Sequence, residues 1–211
     1  MISRDRSGYP AALLAVFTVI FVILGIAPLF RQDWLLENLL VFAGLAVLIA
    51  TRKRLHFSNV SYTLIFVLFV LHEIGAHYTY SLVPYDRWVQ AVTGDTLSAW
   101  LGLERNHYDR LIHFAYGLLI TRPAIELLEH VAPPRGLWRP LLPVLFILSH
   151  SAIYELVEYA AAMVFGGELG TAYLGTQGDE WDSQKDMVCA LGGALLASFY
   201  LAIAVRGVRE R

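Results

Sequence analysis

The sequence predicts an all-α fold, a polytopic membrane helical bundle with about six transmembrane helices, and three observations carry that expectation. Of the 211 residues, 57% are hydrophobic and only 16% charged, and the mean hydropathy is +0.54, whereas a soluble domain carries about 25% charged residues. Six segments, 9–29, 34–50, 58–78, 111–128, 141–164 and 187–205, are apolar and near the roughly 20 residues needed to cross a hydrocarbon core of about 30 Å as a helix. Lys and Arg are asymmetric along that pattern. With the N-terminus inside, 11 fall on the inner side and 5 on the outer (Arg31, Arg87, Arg105, Arg110 and Lys185), accounting for all 16. Basic residues favour the cytoplasmic side. Both termini are therefore expected in the cytoplasm, with residues 1–211 forming a single integral domain of the inner (plasma) membrane.

The first span follows Arg4 and Arg6, as a signal peptide would. Its apolar stretch is too long for one, and Pro28 follows the only small-x-small triplet, Gly25-Ile26-Ala27, so it is read as a retained helix. The second span closes on Arg52-Lys53-Arg54 and the third carries His72, Glu73 and His77 near its far end. In the long outer loop 81–110, Trp88, Leu97, Trp100, Leu101 and Leu103 are spaced for short interfacial helices with tryptophans at headgroup level. Arg122 in the fourth span can snorkel to the inner surface or pair with Glu126. A second outer loop, 165–186, is glycine-rich, and no repeat, low-complexity tract or linker divides the chain. The lone cysteine, Cys189, excludes a disulfide framework and any Cys-based zinc motif. A net charge of -2 with no longer basic run excludes nucleic acid as a partner; membrane lipids are the expected surroundings.

Candidate functional residues lie at the outer ends of four spans. Residues four apart share a helix face, so Glu73 pairs with His77, Asp109 with His113 and Asp182 with Asp186; Glu155 and Glu158 are three apart. Ionisable groups at such depth are costly in hydrocarbon and point to function. The eight are expected to converge on one pocket, where six carboxylates outnumber the neighbouring Arg105, Arg110 and Lys185. One or two divalent cations would balance the excess, as in helical bundles that build metal sites from facing carboxylates and imidazoles. Glu73, His77, Asp109, His113, Asp182 and Asp186 are the candidate ligands, with His77 and His113 supplying nitrogen. Such a donor set suits a divalent metal ion, Zn, Mn or Fe, without choosing among them. Glu155 and Glu158 are the candidate catalytic bases.

These segments carry a family resemblance along nearly the whole chain. His72-Glu73-Ile74-Gly75-Ala76-His77-Tyr78, Arg105 to Arg110 with His113-Phe114, Tyr154 to Glu158, and Gly175 to Asp179 with Trp181 to Met187 resemble the YjdF-type inner-membrane family, which implies a polytopic membrane protein and supplies no accepted activity or cofactor. A weaker likeness is to VanZ-like membrane proteins, through Asp109-Arg110, His113-Phe114, Glu155, Asp182, Asp186 and Gly192-Gly193. Arg110 replaces the usual Lys, and Ala190 lies near where that pattern favours Asn. The association of VanZ-like proteins with glycopeptide resistance implies an envelope or lipid-linked substrate. Three functions fit the sequence: a metal-dependent enzyme acting on such a substrate, a proton- or cation-coupled transporter, and a non-catalytic envelope protein.

Overall fold

The computed structural model describes residues 8–209, and their side chains up to residue 203. Arg4, Arg6 and Arg211, which entered the charge count, lie outside the described residues, and the side chains of Arg206 and Arg209 outside the described ones. Six long helices form the bundle: α1 (Gly8–Gly25), α2 (Arg31–Thr51), α3 (Asn59–Tyr78), α6 (Tyr108–Val131), α7 (Trp138–Phe165) and α9 (Asp182–Arg209). Each is long and apolar enough to span a membrane. Three short helices, α4 (Tyr85–Thr93), α5 (Leu97–Leu101) and α8 (Gly167–Leu174), occupy the two long loops at one end. Trp88 and Trp100 are exposed on α4 and α5, as an interfacial pair requires.

Helices α6, α7 and α9 begin three to five residues before the apolar windows that predicted them. An apolar window stops at the first charged residues. The helix continues through them because their polar groups find partners: Asn106 Oδ1 accepts from Tyr108 N at 3.0 Å and opens α6. All the acids of interest therefore stand on helix rather than loop.

Glycine sets the closest crossing in the bundle. Gly117 of α6 lies against the Ala190 carbonyl of α9, and Gly193 of α9 against the Phe114 carbonyl of α6; a Cβ at either position would overlap backbone. Small residues allow such approach where lipid offers no hydrophobic drive for association. The crossing brings the first turns of α6 and α9 face to face, with α7 packed on both and α3 on α6. Ile147, Ala190 and Ala194 fill the core below, and Leu68, Tyr108 and Ile112 fill it between α3 and α6. Helix α1 buries only Phe17. Much of its remaining apolar surface, Val16, Val19, Val22 and Ile23 included, is exposed, as expected where hydrocarbon is the solvent.

Candidate metal centre

The N-terminal turn of α6 is fixed from several sides. Asn106 Nδ2 donates to Val83 O at 2.9 Å, His107 N to Tyr85 Oη at 3.0 Å, and Tyr108 Oη to Leu71 O at 2.8 Å. Asp109 and His113 follow one turn apart on the face turned to α9, where Asp186 stands. One ligand atom from each of Asp109, His113 and Asp186 lies within 4.8 Å of the others. His113 and Asp186 are buried, and the Asp109 side chain is 13% exposed.

His113 Nε2 is 3.7 Å from Asp109 Oδ1 and 3.4 Å from Glu155 Oε1, while its Nδ1 is 3.3 Å from Ser151 Oγ. The Tyr154 ring meets the imidazole edge-on at 5.7 Å between centroids. Ser151 and Tyr154 thus orient a ring whose other nitrogen faces carboxylates. Glu155 Oε1 and Asp186 Oδ1 are buried without a hydrogen-bond partner. The nearest cation, Arg110 Nε, stands 3.9 Å from Asp186 Oδ1, beyond hydrogen-bond reach, so these convergent acceptors suit a further cation. One imidazole and two carboxylates, with the imidazole anchored through its second nitrogen, form a donor set capable of coordinating a divalent metal.

An ion-pair rim covers this group. Arg105 Nη2 donates to Asp182 Oδ1 at 2.5 Å, Arg110 Nη2 to the same oxygen at 3.2 Å and to Asp179 Oδ2 at 2.5 Å, and Lys185 Nζ to both Asp179 oxygens at 2.6 and 2.9 Å. The Lys185 ammonium, with the Trp181 amide and the Arg110 guanidinium, holds the Asp179 carboxyl well below the usual range. Asn106 and Gln177 exchange two hydrogen bonds, at 3.1 and 2.9 Å, and Arg105 Nη1 reaches Thr176 O. Two long loops distant in sequence are thereby laced together. Gly175, at φ 60°, lies where a Cβ would come within 3.9 Å of Asp109 Oδ2, so the glycine loop rests on the centre.

The eight residues expected in one pocket are divided. Asp109, His113 and Asp186 come together, with Glu155 beside His113. Glu158 is buried on α7 next to them. Asp182 is drawn into the rim by Arg105 and Arg110. Glu73 is fully buried but faces Trp34 and Asn38 of α2, and neither Oε forms a hydrogen bond. His77 turns to α1, its Nδ1 2.7 Å from Leu24 O. Same-face spacing says which side chains share a side, not which helix that side meets.

Two buried acids on α2 escaped the sequence reading. Asp33 Oδ2 accepts from Thr79 Oγ1 at 2.7 Å and Glu37 Oε2 from Tyr154 Oη at 3.2 Å; the Glu37 carbonyl is 3.3 Å from His72 Nε2, whose Nδ1 is 2.5 Å from Tyr80 Oη. Burial, then the charges of Glu37 and Asp109, push the Tyr80 hydroxyl well above its ordinary range, so it stays a neutral phenol. Asp33 and Glu37 are four apart and Glu37 lies inside an apolar span, so the spacing rule applied to the other helices would have found them.

Six membrane-spanning helices and a buried His/Asp cluster capable of coordinating a metal ion define a multi-pass membrane protein with a candidate metal centre. The chain belongs to the family described as "Predicted membrane protein (DUF2238)", whose match covers residues 9–207. It is 39% identical over 188 residues to the "Inner membrane protein YjdF" of Escherichia coli (strain K12), covering 88% of this chain and 85% of that relative. No solved structure matches.

Proposed function

We propose that this protein is a metal-dependent enzyme acting on a lipid or lipid-linked envelope substrate at the outer face of the inner membrane. The carrying observation is the mutual approach of Asp109, His113 and Asp186 within 4.8 Å, beside the unpartnered Glu155 Oε1. A divalent metal there would supply Lewis acidity or an activated water. Asp109, His113 and Asp186 would hold it, Ser151 would keep His113 Nε2 turned inward, and Glu155 or Glu158 would accept the proton that a nucleophile must lose. Arg105, Arg110 and the glycine loop shield the centre from bulk water. The membrane setting and the VanZ-like pattern support the substrate class. The bias of Lys and Arg toward the opposite end supports cytoplasmic termini.

Mass spectrometry of envelope lipids tests this reading. Cells carrying Asp186→Asn or Glu155→Gln in place of the native chain are expected to accumulate the same lipid or lipid-linked species; an unchanged profile in both argues against enzymatic action on such a substrate. Glu73, buried with two unpartnered oxygens, favours a second reading: proton- or cation-coupled transport. That reading expects pH-dependent uptake lost in Glu73→Gln and retained in Asp186→Asn.

A further inference from the structure

At the end opposite the metal centre, α1, α2 and α3 enclose a cleft of about 690 Å³, within the ~300–1,000 Å³ typical of ligand pockets. Helix α1 is held to α3 by Tyr9 Oη on Thr63 Oγ1 at 2.6 Å and by the Phe17 and Phe69 rings at 5.6 Å. Helix α2 meets α3 where Gly44 faces the Phe69 ring, a built Cβ coming within 3.2 Å of it. The two outer helices touch each other toward the metal-centre end, through Phe21 and Phe42 at 5.7 Å and Gly25 under Trp34. Beyond Phe21 they stand apart and the cleft opens between them.

Its walls include Leu13, Leu14, Phe17, Leu48, Phe66 and Phe69, and its mouth carries Arg52, Lys53, His56 and Asn59. No acidic side chain is among the lining residues. Arg52, Lys53 and His56 are exposed, and among the described residues none of the three forms a salt bridge. The mouth lies where the α2 span ends, the level at which a helix that just crosses the hydrocarbon meets the headgroups. An apolar slot continuous with the hydrocarbon is thus joined to a cationic entrance at the interface.

We propose that this cleft binds one anionic phospholipid, an acyl chain between α1 and α2 and the phosphate headgroup on Arg52 and Lys53. Basic pockets between membrane helices recognise anionic headgroups by charge. The wall matches the chain and the mouth matches the anion. A helix of a second copy, about 10 Å across with its side chains, cannot lie along the groove because the Phe21–Phe42 contact closes it halfway. The inference is independent of the metal centre, at the other end of the bundle.

Native mass spectrometry of the full chain, titrated with phosphatidylglycerol or with phosphatidylcholine of the same acyl chains, tests it. Wild-type protein is expected to retain one phosphatidylglycerol, with roughly tenfold or greater preference over phosphatidylcholine. Arg52→Glu with Lys53→Glu, changes on an exposed turn, should abolish the preference while leaving the melting curve unchanged. Leu48→Trp, which fills the slot, should lower retention of both lipids. Equal retention of the two lipids by wild-type protein, an unchanged preference in the charge-reversed variant, or a dimer that lipid cannot dissociate would each overturn the proposal.

Discussion

Two glutamates on neighbouring helices have opposite surroundings. Glu126, near the Arg122 end of the bundle, accepts from Ser58 N at 2.8 Å, Ser58 Oγ at 2.7 Å and Arg122 Nε at 3.4 Å. Glu155, on α7 toward the other end, faces the His113 imidazole while its Oε1 has no hydrogen-bond partner, as does Asp186 Oδ1 across from it. The first carboxylate ties the start of α3 to α6 and has its partners already. The second pair has acceptor capacity that the protein leaves open. Membrane carboxylates thus divide by whether their lone pairs are satisfied within the chain, and it is where unsatisfied ones converge that a cation fits.

The largest effect that separates the two ends is on stability in the absence of metal. Glu126→Gln is expected to lower stability by about 1.5–3 kcal/mol, the range for hydrogen bonds to charged groups, read as a fall in Tm. Asp186→Asn is expected to lower the Tm of metal-free protein less, because its Oδ1 forms no hydrogen bond and its nearest cation, Arg110 Nε, is 3.9 Å away. Equal losses in both variants would break the comparison.

A smaller effect concerns the imidazole's orientation. Ser151→Ala removes the contact to His113 Nδ1 and is expected to weaken metal binding 10–100-fold, as loss of such supporting partners does, with little change in Tm. Titration with a competing chelator measures it. Unchanged affinity would mean that the ring is positioned by Tyr154 alone.

The smallest effect is a local one, at the rim. Because Asp179 is held below its ordinary value by Lys185 and Arg110, its ion pairs contribute stability that is present above the unfolded value of about 3.9 and lost as pH falls through the lower folded one. Amide protection across residues 175–181 should fall as pH drops below about 4, and in Lys185→Ala it should already be lower above that pH and depend less on pH. Protection that is flat with pH there would detach the rim from this charge.

The six spans were legible because bilayer thickness imposes length and apolarity on each. Asp109, His113 and Asp186 were legible as same-face pairs on separate helices. The destination of His77 was not, since its partner Leu24 O lies 53 residues away on α1 and nothing local encodes it. Asp182 looked like a ligand by spacing, yet Arg105 and Arg110 claim it through contacts that need the folded loops. Ser151 has no signal in sequence; a serine in a membrane helix usually bonds its own backbone. Glycines 117 and 193 read only as small residues until the α6–α9 crossing showed why no Cβ fits.

Elemental analysis of protein purified without added chelator tests the central claim most directly. About one equivalent of Zn, Mn or Fe per chain is expected in wild type, retained by Glu126→Gln and by His77→Ala, and lost from Asp186→Asn and His113→Ala, which remain folded. Wild-type protein with no stoichiometric metal and no rise in Tm on adding any of the three, or metal retained by both Asp186→Asn and His113→Ala, would contradict it.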